Sequence, residues 1–286
     1  MLDSIINQIP FIYQVIAVAV IALSFGSFAG MLVYRIPNEK PILSAKERSV
    51  CIKCDKELKW YHNIPMFSYL FLKGKCAFCK ESISCHYFLV ESLVTLLVTF
   101  TFVYFQSGFF DCQLSTYPYV NFVISDSIVH TLSMMFFVYL LVVLGAIDIM
   151  TGYLPNKLTY TGMIFAVAIS FIDPSISWSE SLIGMCVGYG SLWVIAKSFY
   201  LLRGIDGMGH GDFKMLAMIG AFLGWQSLVF IPLVASLTGI LFAIISLKNN
   251  KNKDKNTEFP FGQYLAVAAF IMIFVNSNVV LFYTSF

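Results

Sequence analysis

Apolar residues gather into eight long runs along the chain, and the stretches between them hold most of the prolines and nearly all of the charge. Each run is near the ~20 residues that a helix needs to cross a bilayer. The expected spans cover about residues 11–34, 87–105, 128–147, 158–172, 182–202, 212–225, 228–247 and 261–283, the fourth being short. An even number of crossings puts both termini on one side. The pattern predicts an all-α polytopic membrane protein with one polar insertion, residues 35–85, between the first and second spans.

Composition agrees with this reading. Of 286 residues, 58% are hydrophobic and 12% charged, against about 25% charged in soluble domains. A net charge of +2 says little, but the placement of the 18 Lys and Arg says more. Ten fall between Arg35 and Lys80, and the other eight, Lys157, Lys197, Arg203, Lys214, Lys248, Lys251, Lys253 and Lys255, fall on the same side of the predicted spans. Basic residues stay on the cytoplasmic side, so both termini are expected outside and the polar insertion inside. Met1–Pro10 has no basic segment and no small-residue cleavage site, so the first run is expected to be a retained span. Nothing points to a nucleic-acid partner.

The polar insertion carries Cys51-Ile52-Lys53-Cys54 and, further on, Cys76-Ala77-Phe78-Cys79. Two CxxC pairs read as a tetrahedral Cys₄ zinc site, closed and therefore structural. Disulfides suit a reducing cytoplasm poorly, and a redox CxxC needs no matched second pair. Cys85, Cys112 and Cys186 lack a CxxC partner and read as ordinary residues.

Two acids stand at the inner ends of spans beside helix breakers. Asp148 closes the third run before Gly152 and Pro155. Asp212 opens the sixth run after Gly207, Gly209 and Gly211. Charge at such a border is a functional-site hypothesis, although Asp212 alone could equally be a helix N-cap. If the two meet across the bundle, they can share a proton and perform aspartyl protease chemistry. One carboxylate draws a proton from the attacking water, and the other, protonated, donates to the peptide carbonyl. The helix dipole favours Asp212 as the anion. The glycines offer backbone on which an unwound substrate strand can lie. His210, two residues from Asp212, reads as a bystander, and Lys214 as a snorkelling interface residue.

These motifs together resemble the bacterial prepilin peptidases, or type IV leader peptidases, of the GxGD class. The resemblance rests on Gly26-Ser27-Phe28 with Tyr34-Arg35-Ile36-Pro37, the four cysteines, Trp60 to Pro65, Lys73-Gly74-Lys75-Cys76, Asp148 with Leu154-Pro155, Gly207 to Lys214, and Phe259-Pro260-Phe261-Gly262. It implies catalytic Asp148 and Asp212, and zinc on Cys51, Cys54, Cys76 and Cys79. It also implies cleavage of the basic leader of type IV prepilins and type II secretion pseudopilins after a glycine, at the cytoplasmic face of the bacterial inner membrane. The resemblance further implies N-methylation of the new N-terminus from S-adenosylmethionine, for which Gly74 and Lys75 are the candidate donor contacts. The implied division is a first span at 1–34, a zinc-binding, methyl-transfer-associated domain at 35–85 and a protease core at 86–286. Asn156 and His62 depart from the family's usual Asp and Glu. Two other readings stay open: a GxGD protease without methyl transfer, and a non-enzymatic zinc-loop scaffold or transporter.

Overall fold

Among the described residues, eight helices of 14 residues or more stand where the eight apolar runs fall. The computed structural model describes residues 9–41, 51, 53–54, 56–107, 128–173, 175–204, 208–249 and 260–284. Asp111, Cys112, Asp126, Gly207, Pro174 and the Lys/Asn-rich loop after Asn249 lie outside them.

The chain divides into two compact units, residues 1–107 and 108–286. In the first unit, α1 (Phe11–Arg35) pairs with α3 (Cys85–Gln106). Between them in sequence come a 3-10 turn (Trp60–Asn63) and a one-turn helix, α2 (Phe67–Phe71). Ser84 starts α3, its Oγ accepting the His86 N–H at 3.4 Å, as an N-cap serine does. Gly26 lets the helices touch, because a Cβ there would lie 2.9 Å from the Glu91 carbonyl oxygen. Phe11 and Phe102 stack at 6.4 Å where the far ends meet.

The second unit contains α4 (Ile128–Thr151), α5 (Asn156–Ile169), α6 (Trp178–Arg203), α7 (His210–Leu223), a 3-10 turn (Trp225–Val229), α8 (Phe230–Asn249) and α9 (Gly262–Thr284). A capping box on Ser177 and Glu180 starts α6, and Gly204 at φ +68° ends it, a position that favours glycine. The helix α7 is the axis of this unit. Everything from Asp212 to Leu223 is buried except Lys214, which explains a sequence apolar on every face. It packs on α5, α6 and α9. Phe137 of α4 stacks on Phe222 of α7 at 4.3 Å. At the other end of α4, His130 Nδ1 meets Asp173 Oδ2 at 2.7 Å.

The closest approach is between α6 and α7. A Cβ built on Gly184 or on Gly220 would collide with the other's carbonyl oxygen, and one on Gly188 would lie 2.6 Å from the Leu216 carbonyl oxygen. Gly190, two residues beyond Gly188 and so on another face of α6, faces open space. Gly184→Leu is therefore expected to destabilise the protein by ~2 kcal/mol or more, since overpacking backbone cannot be relieved by a rotamer change, while Gly190→Leu changes little. Thermal unfolding of the two variants in one detergent checks this.

Among the described residues, five helices are long and apolar enough to cross a membrane: Phe11–Arg35, Cys85–Gln106, Ile128–Thr151, Trp178–Arg203 and Trp225–Ile245. Two of the eight expected spans are not among these five by length. Both α5 and α7 have 14 residues, about 21 Å at the helical rise, against a hydrocarbon core of about 30 Å. The expected sixth span is a short helix enclosed by its neighbours, and its apolar character answers to protein rather than to lipid. Among the described residues there is no strand beyond an isolated bridge between Lys75 and Ser82.

Candidate active site and metal centre

Asp148 and Asp212, 64 residues apart in sequence, are both buried, at 3% and 9% exposure. Asp148 occupies the last turn of α4, whose end is marked by the Gly152 N–H donating to the Asp148 carbonyl at 2.8 Å. Asp212 is the third residue of α7. The N-cap of α7 is Gly209, with no side-chain cap, so Asp212 is not the cap that its place in the sequence allowed.

Leu154 joins the two sites. Its side chain is 5% exposed and lies against both glycines that border the acids. A Cβ on Gly211 would be 3.0 Å from Leu154 Cβ, and one on Gly262 would be 2.9 Å from Leu154 Cδ1. Gly211 is thus required by packing. Gly209 has nothing closer to a notional Cβ than the Asp212 carboxylate at 3.9 Å and the Gly211 nitrogen at 4.0 Å. Of the three glycines expected to bear substrate, Gly209 alone, among those described, keeps an uncrowded backbone.

The start of α9 completes the site, and no role for it was read from the sequence. The Gln263 N–H donates to Asp148 Oδ2 at 3.0 Å, with the Gly262 N–H also directed at the carboxylate. First-turn amides have no partner within their own helix, and a carboxylate is a natural one. A Cβ on Gly262 would sit 2.9 Å from the same oxygen. The Phe-Pro-Phe-Gly motif was visible, but a backbone donor has no residue signature.

These contacts bear on which acid is better suited to carry the charge. A helix N-terminus offers Asp212 about 0.3–1 kcal/mol, whereas hydrogen bonds to a charged group are each worth about 1.5–3 kcal/mol. Asp148 holds one such bond, from Gln263, and no hydrogen bond to the Asp212 carboxylate occurs among the described residues. The dipole argument favoured Asp212. The donor count favours Asp148 as the ionised member. His210 is exposed, with its ring 5.3 Å from that of Phe213. Lys214 Nζ donates to Asn156 Oδ1 at 2.7 Å, tying the first turns of α5 and α7 together.

In the first unit, Cys51, Cys54, Cys76 and Cys79 bring their sulfurs within 4.8 Å of one another. Cys51 Sγ and Cys79 Sγ are 3.8 Å apart, about the S···S edge of a tetrahedron with Zn–S bonds of ~2.3 Å. The donor set therefore fits a tetrahedral thiolate metal. N–H groups of Cys79 and Phe78 aimed at the Cys76 sulfur pull its thiol down to about 6, which favours the thiolate that a metal needs. Gly74, at φ +67° with Tyr69 Oη 2.9 Å from a notional Cβ, forms the turn leading into the second CxxC. Lys75 is exposed.

Residues 135–244 match the Type IV leader peptidase family and residues 20–105 the Bacterial Peptidase A24 N-terminal domain. Similar proteins named prepilin leader peptidase/N-methyltransferase include one from Aeromonas salmonicida strain A449, 30% identical over 98% of this chain and 96% of the relative. Another, from Neisseria gonorrhoeae, is 31% identical over 91% and 90%, and one from Xanthomonas campestris is 34% identical over 78% and 71%. No solved structure matches. With two family matches that together take in both the Cys₄ insertion and the paired acids, and relatives aligned from end to end, the chain belongs to the prepilin leader peptidase/N-methyltransferase family.

Proposed function

We propose that this protein cleaves the basic leader from type IV prepilins and related pseudopilins at the cytoplasmic face of the inner membrane, and then methylates the new N-terminal amine. The observation that carries the cleavage reading is the pair of buried carboxylates, Asp148 and Asp212, tied through Leu154 to one helix start. Asp148, held as the anion by the first amides of α9, takes a proton from water as the oxygen attacks the scissile carbonyl. Asp212, protonated, donates to that carbonyl's oxygen and stabilises the tetrahedral intermediate. Collapse returns a proton to the leaving amine and restores the pair. The bare backbone at Gly209, with Gly207 before it, receives the substrate junction as an extended strand.

The membrane arrangement is that all eight long helices belong to the membrane domain, α5 and α7 being shielded by their neighbours, with both termini periplasmic. Residues 1–34, 35–85 and 86–286 serve as first span, zinc-binding domain and protease core. The cysteines hold structural zinc. S-adenosylmethionine is the methyl donor, with Gly74 and Lys75 the candidates from the resemblance for contact with it. Relatives named for both activities support the second reaction.

Purified protein given a synthetic prepilin segment and S-adenosylmethionine, with cleavage and methylation scored separately by mass spectrometry, tests the proposal. Both products are expected. An uncleaved segment refutes the protease assignment, and a cleaved but unmethylated one leaves a protease alone. The metal is tested on the same preparation. About one zinc per chain is expected, and Cys76→Ser is expected to abolish its retention and to raise amide exchange across residues 51–83, because metal binding and folding of such lobes are one equilibrium.

A further inference from the structure

Glu91 is an acid in the second turn of a helix apolar enough to cross a membrane, and nothing in the cleavage chemistry uses it. An ionisable group in such a place is expensive and is kept for a purpose. One oxygen is accounted for. Glu91 Oε2 accepts the Met66 N–H at 2.8 Å, and Met66 holds a left-handed backbone at φ +60°, unusual for a residue other than glycine. The carboxylate thereby pins the turn that leads from the Trp60–Asn63 segment into α2.

The other oxygen has no hydrogen bond, and no Lys, Arg or His of the described residues lies within ion-pair distance of the carboxylate. Oε1 faces the space beside Gly30. A Cβ on Gly30 would stand 4.0 Å from Oε1 and 3.5 Å from Tyr87 Cδ1, so the methyl-sized position on Gly30 is bordered by a carboxylate on one side and an aromatic ring on the other. The Tyr87 ring lies 6.4 Å from that of Tyr34. Tyr34 already carries a cation, with Lys40 Nζ 5.0 Å above its ring. An unpaired carboxylate beside aromatic rings is the chemistry that binds an ammonium group.

We propose that Glu91, with Gly30 and Tyr87, forms a binding site for a primary ammonium group carried by a substrate of the methylation reaction. Two such groups exist under the proposed function, on which this inference rests. One is the N-terminal amine that leader removal exposes, and the other is the amino-acid ammonium of S-adenosylmethionine. The site lies within the first unit and involves neither Asp148 nor Asp212.

Binding, not turnover, provides the test, so the outcome does not depend on whether methylation is seen. The probes are a synthetic mature pilin segment with a free N-terminus, the same segment N-acetylated, and S-adenosylmethionine alone. Each is titrated into the full-length protein in lipid nanodiscs near neutral pH. The wild type is expected to bind the free-amine segment about tenfold more tightly than the acetylated one, the scale of one charge-assisted hydrogen bond. Glu91→Gln retains an oxygen for the Met66 N–H and removes the charge, so it is expected to erase the difference. Gly30→Leu, which fills the gap without touching the carboxylate chemically, is expected to do the same. If the two segments bind alike but both substitutions weaken S-adenosylmethionine tenfold, the ammonium is the donor's and the site stands. If neither ligand responds to either substitution, the assignment is overturned. An intact Cys₄ metal content in each variant shows that the unit is folded.

Discussion

Asp148→Asn and Asp212→Asn are each expected to lower the rate of prepilin cleavage by about 10³-fold or more while leaving the protein folded. A positioned general acid or base contributes about 10²–10⁴-fold, and here each substitution also deprives the partner of the group with which it shares a proton. Asparagine preserves the volume of the buried side chain, so the helix packing around α7 survives. At position 148 the amide keeps an oxygen for the Gln263 N–H, observed at 3.0 Å from the native carboxylate. A gel assay of leader removal, with thermal unfolding as the control, measures both effects. Retention of more than a tenth of the wild-type rate in either variant removes that residue from the chemistry.

The second large effect falls on a residue with no side chain. Gly262→Val is expected to reduce cleavage by about 10²-fold or more. A Cβ at this position enters a space where Asp148 Oδ2 and Leu154 Cδ1 are each 2.9 Å away. Relief requires that the carboxylate leave the amides of α9 or that Leu154 leave Gly211. Losing one charged hydrogen bond costs about 1.5–3 kcal/mol, overpacking adds about 1–3 kcal/mol, and each 1.36 kcal/mol of lost transition-state stabilisation is tenfold in rate. Because the damage is to the position of the anion, kcat is expected to fall with KM little changed. A KM rise at constant kcat would instead mark Gly262 as a substrate contact.

The positions of the helices were legible because each apolar run carries few charges and most end beside Gly, Pro or charge. What the runs did not reveal was which of them need lipid. The segments of α5 and α7 read as spans since apolar residues look the same facing Phe137 as facing an acyl chain. Only their 14-residue lengths tell them apart. The quartet of cysteines was legible from spacing alone, because CxxC fixes two sulfurs on one turn and the second pair has no other reason to match. Asp148 and Asp212 stood out because a charge is costly at the border of an apolar helix. The rest of their site was hidden. The bond from Gln263 to Asp148 spans 115 residues and is made by a backbone group. Leu154 packs on Gly211, a glycine whose place in the sequence suggests substrate contact instead. Glu91 escaped notice because one acid in a membrane-grade helix has no motif around it, and its link to Met66 forms only after the chain folds back.

The account turns on Asp148 and Asp212 acting as one unit, and the cleavage rate of the doubly substituted Asp148→Asn/Asp212→Asn protein, compared with both single variants, tests that most directly. Residues that act together lose their effect once, so the double variant is expected to be no slower than the slower single one. A double variant whose loss equals the product of the two single losses would show two independent contributions and contradict the shared-proton pair.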